Sequence, residues 1–249
     1  MKPFVVAANW KLNKDPSESV QFFKDFLPKV DGRPEQNQIL FFVPAINLWV
    51  TQEILRNTNV GFGPQNIYSE LSGAFTGENS AQVAKNIGCT HCLIGHSERR
   101  SIFSESDSDV AAKVKTSLDQ GLVPVICVGE TLEERESGKT SERVLTQVRA
   151  AMDVLSNDDL FIIAYEPVWA IGTGKVATPE QAEEVHALIR KELTDRYSSD
   201  KADQVAILYG GSVKPENATE LKSQKNIDGF LVGGASLKVD SFSSLSNID

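Results

Sequence analysis

Eight short apolar runs, each followed by a helical pattern at roughly 30 residues per unit, predict an α/β chain folded as a single (β/α)8 barrel across residues 1–249. Three observations carry this. The runs alternate with amphipathic stretches from end to end. Each run is almost continuously apolar, as suits parallel strands covered on both faces. No linker, charge block or low-complexity segment divides the chain. An open doubly wound sheet is the structural alternative, but no G-x-G-x-x-G follows the first run.

The first strand is FVVAAN at 4–9, and Asp15-Pro16-Ser17-Glu18 opens the helix after it. Proline at the first helical position with an acid or glutamine at the third is a helix-start signal. QILFFV at 38–43, NVGFG at 59–63, THCLI at 90–94 and LVPVIC at 122–127 supply the next four strands. LFIIAY at 160–165 is the sixth, and Thr178-Pro179-Glu180-Gln181 starts the helix that follows. VAIL at 205–208 precedes a helix opened by Pro215, and DGFLV at 228–232 is the eighth strand.

A net charge of −9 argues against nucleic-acid or anionic-membrane surfaces, which need basic patches. An anionic small molecule must then be held by local donors. The apolar run in MKPFVVAANWK stops at Asn9, so neither a signal peptide nor a membrane span is expected there. Three cysteines provide no disulfide framework, and a cytoplasmic protein is expected.

Barrel chemistry sits where strands end. After strand one, alternation puts Asn9 and Lys11 on the face of Val5 and Ala7, pointing into the mouth. Lys11 alone reads equally as a surface lysine. After strand four, His96 is followed by Ser97, which can cap the next helical turn. A histidine at a helix N-terminus should stay neutral, although a structural histidine bonded to backbone is the competing reading. After strand six comes Glu166, with Pro167 forcing extended geometry on it. A carboxylate at a dry rim should have a raised pKa, useful in a base. After strands seven and eight, Gly210-Gly211 and Gly233-Gly234 can close backbone N–H groups on an anion.

Two other motifs lead nowhere. Cys89-Thr90-His91-Cys92 has C-x-x-C spacing but only Cys127 remains for a second pair, so core packing is expected rather than zinc. Gly138-Lys139-Thr140 ends like a P-loop, with Glu133 where its first glycine belongs.

NWK, GHSERR, PVICVGE, AYEPVWAIGTGKVAT, YGGSV and FLVGGASL, in this order, resemble the triosephosphate isomerase family over nearly the whole chain. The resemblance implies interconversion of dihydroxyacetone phosphate and glyceraldehyde 3-phosphate through an enediol(ate), without cofactor or metal. It implies Glu166 as the base, neutral His96 as donor to the substrate oxygens, and Lys11 as the binding cation beside Asn9. Glu98 would pair with Lys11. Phosphate would lie near Gly172, Ser212, Gly233 and Gly234. Pro167, Val168 and Trp169 with Lys175, Val176 and Ala177 would be the hinges of a lid, and Ala170, Ile171, Gly172, Thr173 and Gly174 its tip. The loop from Gln65 to Glu78 would insert into a second subunit, bringing Thr76 to the partner's active site in a homodimer. Ala8 and Asn79 depart from the common pattern; Asn79 bears on interface packing. The rival readings are another phosphate-binding barrel enzyme, acting on indole or phosphoribosyl substrates, and a catalytically inactive barrel serving as a binding or surface protein. A coupled triose phosphate assay separates them.

Overall fold

The computed structural model describes residues 2–171 and 177–248. Its strands are β1 (Phe4–Asn9), β2 (Asn37–Val43), β3 (Gly61–Pro64), β4 (His91–Ile94), β5 (Val123–Val128), β6 (Ile162–Tyr165), β7 (Ile207–Tyr209) and β8 (Gly229–Val232). Among the described residues the α-helices are α1 (Pro16–Phe26), α2 (Leu48–Leu55), α3 (Ala81–Ile87), α4 (Ser97–Ile102), α5 (Asp107–Asp119) and α6 (Leu132–Glu136) in the first half. In the second half they are α7 (Thr140–Met152), α8 (Pro179–Arg196), α9 (Ser199–Gln204), α10 (Pro215–Lys222) and α11 (Val239–Ser246).

All eight strands join one parallel sheet in the order β3-β2-β1-β8-β7-β6-β5-β4. The two edges meet: the Thr90 N–H donates to the Phe62 carbonyl at 3.0 Å. A Cβ on Gly63 would lie 1.7 Å from the His91 carbonyl oxygen, so glycine lets the seam approach closely. The expected (β/α)8 barrel is the fold found. Observed strand ends lie within two residues of those expected; the largest differences include Leu160, which stays 66% exposed ahead of β6.

Two apolar layers follow from strand alternation. Val5, Ala7, Leu40, Phe42, Leu93, Val125, Cys127, Ile162, Ala164, Leu208 and Leu231 fill the barrel. The alternate residues face outward against the helices. There Trp10, fully buried, meets Phe22, Phe23 and Phe41 at ring separations of 5.1 to 5.5 Å. Trp10 thus anchors the chain between the two inward residues Asn9 and Lys11. Asp15 and Thr178 close the expected capping boxes on Glu18 and Gln181. At α10 the third-position partner is Asn217, whose Oδ1 accepts the Lys214 N–H at 2.9 Å. Cys89, Cys92 and Cys127 are buried free thiols, the first two in the outer layer and the third inside the barrel.

Candidate active site

Glu166 continues the inward row of Ile162 and Ala164 one step past β6, and its N–H still donates to Val128 at 2.8 Å. The carboxylate is almost fully buried. Its Oε1 lies 2.9 Å from His96 Nε2, and its Oε2 accepts the Ser97 N–H at 2.9 Å. Gly210 is required behind it, because a Cβ there would come within 2.8 Å of Glu166 Cγ.

His96 reaches the mouth because Gly95, at φ 69°, turns the chain after β4. Its Nδ1 accepts the Glu98 N–H at 3.2 Å, making the ring the N-cap of α4. Ser97, expected to cap, is already the first helical residue and spends its N–H on Glu166. With Nδ1 accepting, the ring proton sits on Nε2 and points at the carboxylate. Burial disfavours the imidazolium and the Glu166 carboxylate favours it, with a net upward pull. A second ring proton would have to displace the Glu98 N–H from Nδ1.

Burial also pushes the Glu166 carboxyl upward, but His96, the Ser97 N–H and Lys11 outweigh it and hold the group below the usual carboxylate range. This overturns the expectation of a raised pKa. Dryness acts as expected, and two donors aimed at the two oxygens overcome it.

Lys11 adopts φ 52°, a left-handed conformation that costs a side-chain-bearing residue roughly 1–2 kcal/mol. Its N–H donates to Asn9 Oδ1 at 3.1 Å, and its carbonyl accepts from Gln65 Nε2 at 2.9 Å. Gln65 also donates to the Phe42 carbonyl at 3.0 Å, tying the turn to β2. The Lys11 ammonium pairs with Glu98 Oε1 at 2.5 Å.

Asn9, Lys11, His96, Glu98 and Glu166 line one cavity of about 620 Å³, together with Ser212, Gly233 and Gly234. The glycine pairs differ in what they do. Gly210 makes room for Glu166, and a Cβ on Gly211 would strike the Tyr209 hydroxyl. Gly233 approaches the Lys11 stem, and Gly234 opens onto free space. Ala170 and Ile171 form part of the cavity wall. Val168–Ala170 forms a 3-10 turn, and Ala177 is buried. Gly172, Thr173, Gly174, Lys175 and Val176 lie outside the described residues. A carboxylate proton acceptor, an imidazole N–H donor, a cation and open backbone together suit proton abstraction beside a carbonyl on an anionic substrate.

The family model described as triosephosphate isomerase matches residues 4–249. The chain belongs to the triosephosphate isomerase family. A protein named triosephosphate isomerase from Bdellovibrio bacteriovorus is 49% identical over 98% of this chain and 99% of its own. Those of Caldanaerobacter subterraneus subsp. tengcongensis and Dictyoglomus thermophilum are each 45% identical, over 99% and 97% of this chain and 100% and 98% of theirs.

Two positions escaped the sequence reading. In sequence Gln65 marks only the start of a loop, though it steadies the strained turn at Lys11. Glu130, fully buried at the end of PVICVGE, accepts from Tyr165 Oη at 3.1 Å and Trp169 Nε1 at 2.9 Å, with Arg135 3.4 Å away. It ties the segment after Glu166 to β5. Its signal was a carboxylate two residues beyond a strand. Thr76 is exposed, on a loop closed by the Tyr68 N–H to the Asn79 carbonyl at 2.9 Å. Asn79 Nδ2 donates across the same neck to the Asn66 carbonyl at 3.3 Å. No described helix is long and apolar enough to cross a membrane, and no described group of His, Cys, Asp and Glu forms a metal site.

Proposed function

We infer that the protein interconverts dihydroxyacetone phosphate and D-glyceraldehyde 3-phosphate, the reaction of its family in glycolysis and gluconeogenesis. The observation that carries the residue-level reading is the buried Glu166 carboxylate, 2.9 Å from His96 Nε2 while His96 Nδ1 accepts the Glu98 N–H. In the arrangement described, Glu166 is held by His96 and Ser97. Substrate binding would draw it from these donors toward the carbon that bears the transferred proton. Glu166 takes that proton and returns it to the neighbouring carbon. Losing its two hydrogen bonds in a buried site makes the carboxylate more basic as it turns. His96 then donates Nε2–H to the substrate oxygens as charge gathers on them. Lys11 supplies positive charge, its turn fixed by Asn9 and Gln65.

The phosphate is assigned to the open side of the cavity, against Ser212, Gly233 and Gly234, with Gly172 closing from above. Residues Pro167 to Ala177 act as a lid that excludes water and retains the enediol(ate); this family is itself a standard example of such closure. The chain works as one domain with its site at the C-terminal ends of the strands, in the cytoplasm and as a homodimer. Apolar side chains on the surface support the dimer: Leu12, Ile46, Trp49, Phe75, Val83, Ile102 and Phe103 are all exposed. The Thr76 loop would enter the partner beside its Asn9 and Lys11. A coupled assay of triose phosphate interconversion tests the activity, and its absence from folded protein would favour a binding role.

A further inference from the structure

Glu166 stands between two cavities. Among the described residues it alone lines both the substrate cavity and a second one of about 160 Å³. The second lies between the start of α4, the segment after β5 and α7. Ser97, whose N–H Glu166 Oε2 accepts at 2.9 Å, is part of its wall. Two exposed residues, Ser101 and Thr131, also line it, so it opens to solvent on the side away from the substrate.

Polar groups in this wall are left free. Gln147 is only 2% exposed, and its Oε1 accepts the Gly129 N–H at 2.7 Å. Its amide nitrogen is not sealed among other atoms and donates to no described residue, so it faces the cavity that Gln147 lines. The Ser97 hydroxyl is likewise without a partner among the described residues. Arg100 and Arg143 line the cavity too, but Asp107 pairs with both and Glu134 with Arg143. With its cations neutralised, the cavity is not built for a second anion. A polar space of this size, with free donors and room for several waters at roughly 30 Å³ each, holds water.

We propose that this cavity is a water chamber through which the proton carried by Glu166 exchanges with solvent. Gln147 is its positioning residue, holding water beside the carboxyl together with the Ser97 hydroxyl. The protonated carboxyl gives its hydrogen to a chamber water and takes a different hydrogen back. Acid and water swap hydrogens, and no net charge moves. The inference rests on Glu166 being the base that carries a proton between two carbons. While substrate fills the front cavity, the rear one remains the way to water.

The test converts dihydroxyacetone phosphate in D2O. Proton NMR of the first glyceraldehyde 3-phosphate formed reads hydrogen retained against deuterium gained at C2. Wild-type product should carry both. Gln147→Leu, which removes the inner donor, should raise the ratio of hydrogen to deuterium about threefold to tenfold, the scale of one lost hydrogen bond. Ser101→Leu, which plugs the exposed end, should shift the ratio the same way. Mere damage to the site has the opposite sign, because slower return of the proton to carbon leaves more time for exchange. A ratio unchanged or lowered in Gln147→Leu overturns the proposal, as does wild-type product carrying hydrogen alone. If Gln147→Leu does not fold, Ser101→Leu decides by the same ratio. Absence of any conversion by the folded wild type is a different failure, that of the isomerase reading itself.

Discussion

Glu166 is held on both oxygens in the resting site, so its reach toward the substrate is set by the length of its side chain. Glu166→Asp should lower kcat far more than it changes KM. A retreat near 1 Å can cost on the order of a hundredfold. An unchanged turnover number would remove Glu166 from the mechanism. Lys11→Met should fold, because the Glu98 carboxylate it leaves is 43% exposed and keeps its hydration. Its affinity for phosphoglycolate should fall sharply, since the chain's net charge of −9 otherwise repels a dianion. Circular dichroism with inhibitor titration checks both halves, and native affinity in the folded variant would exclude Lys11 as the binding cation. His91 and His186 set an acid limit on the fold. Burial lowers them to about 4 and about 3 from an ordinary 6.5. As pH falls below 6.5 the unfolded chain takes up protons that the folded chain refuses, so stability drops toward pH 4. Urea midpoints should decline over that window, less steeply in His91→Gln.

The element that separates this site from a plain pocket is the segment after β6. Its first turn, Val168–Ala170, is tied by Trp169 to Glu130, and Ala177 is buried where α8 begins. Deleting residues 171–174 should leave the barrel folded, because β6 and α8 keep their packing and shortening a loop changes closure entropy little. Glu166 should still abstract a proton. With water admitted, the enediol(ate) would lose its phosphate, so methylglyoxal and inorganic phosphate should become a large share of product. NMR of product partitioning from dihydroxyacetone phosphate measures this. Nearly exclusive glyceraldehyde 3-phosphate would mean that the segment is not a lid. The proline, tryptophan and glycines mark this segment as unusual in the sequence. Its anchor is not legible there, since Glu130 lies 39 residues from Trp169.

At the scale of the whole molecule, several large apolar side chains stand on the surface. Phe75 is 40% exposed while its ring packs on Tyr68 at 4.5 Å, so the protruding loop is already shaped. Phe103 is 63% exposed and lies under the Arg99 guanidinium at 4.6 Å. Phe75→Glu should place a charge in the proposed interface and shift the protein to monomers of low activity. Light scattering beside the coupled assay tests this, and a dimer of native activity would move the interface elsewhere.

Sequence by itself determined the eight strands, the inward parity of Asn9 and Lys11, and the helix starts at Pro16 and Pro179. These depend on neighbours along the chain, where side chains alternate and caps lie three residues from their partners. Tertiary structure alone decided that His96 rather than Ser97 caps α4, that Gly210 clears space for Glu166, and that Gln65 steadies Lys11. It also reversed the direction of the Glu166 pKa. The Ser97 N–H that reaches Glu166 comes from 69 residues away. Hydrogen bonds and charge states turn on ångström distances between groups from different strands, and closing the barrel is what sets those distances.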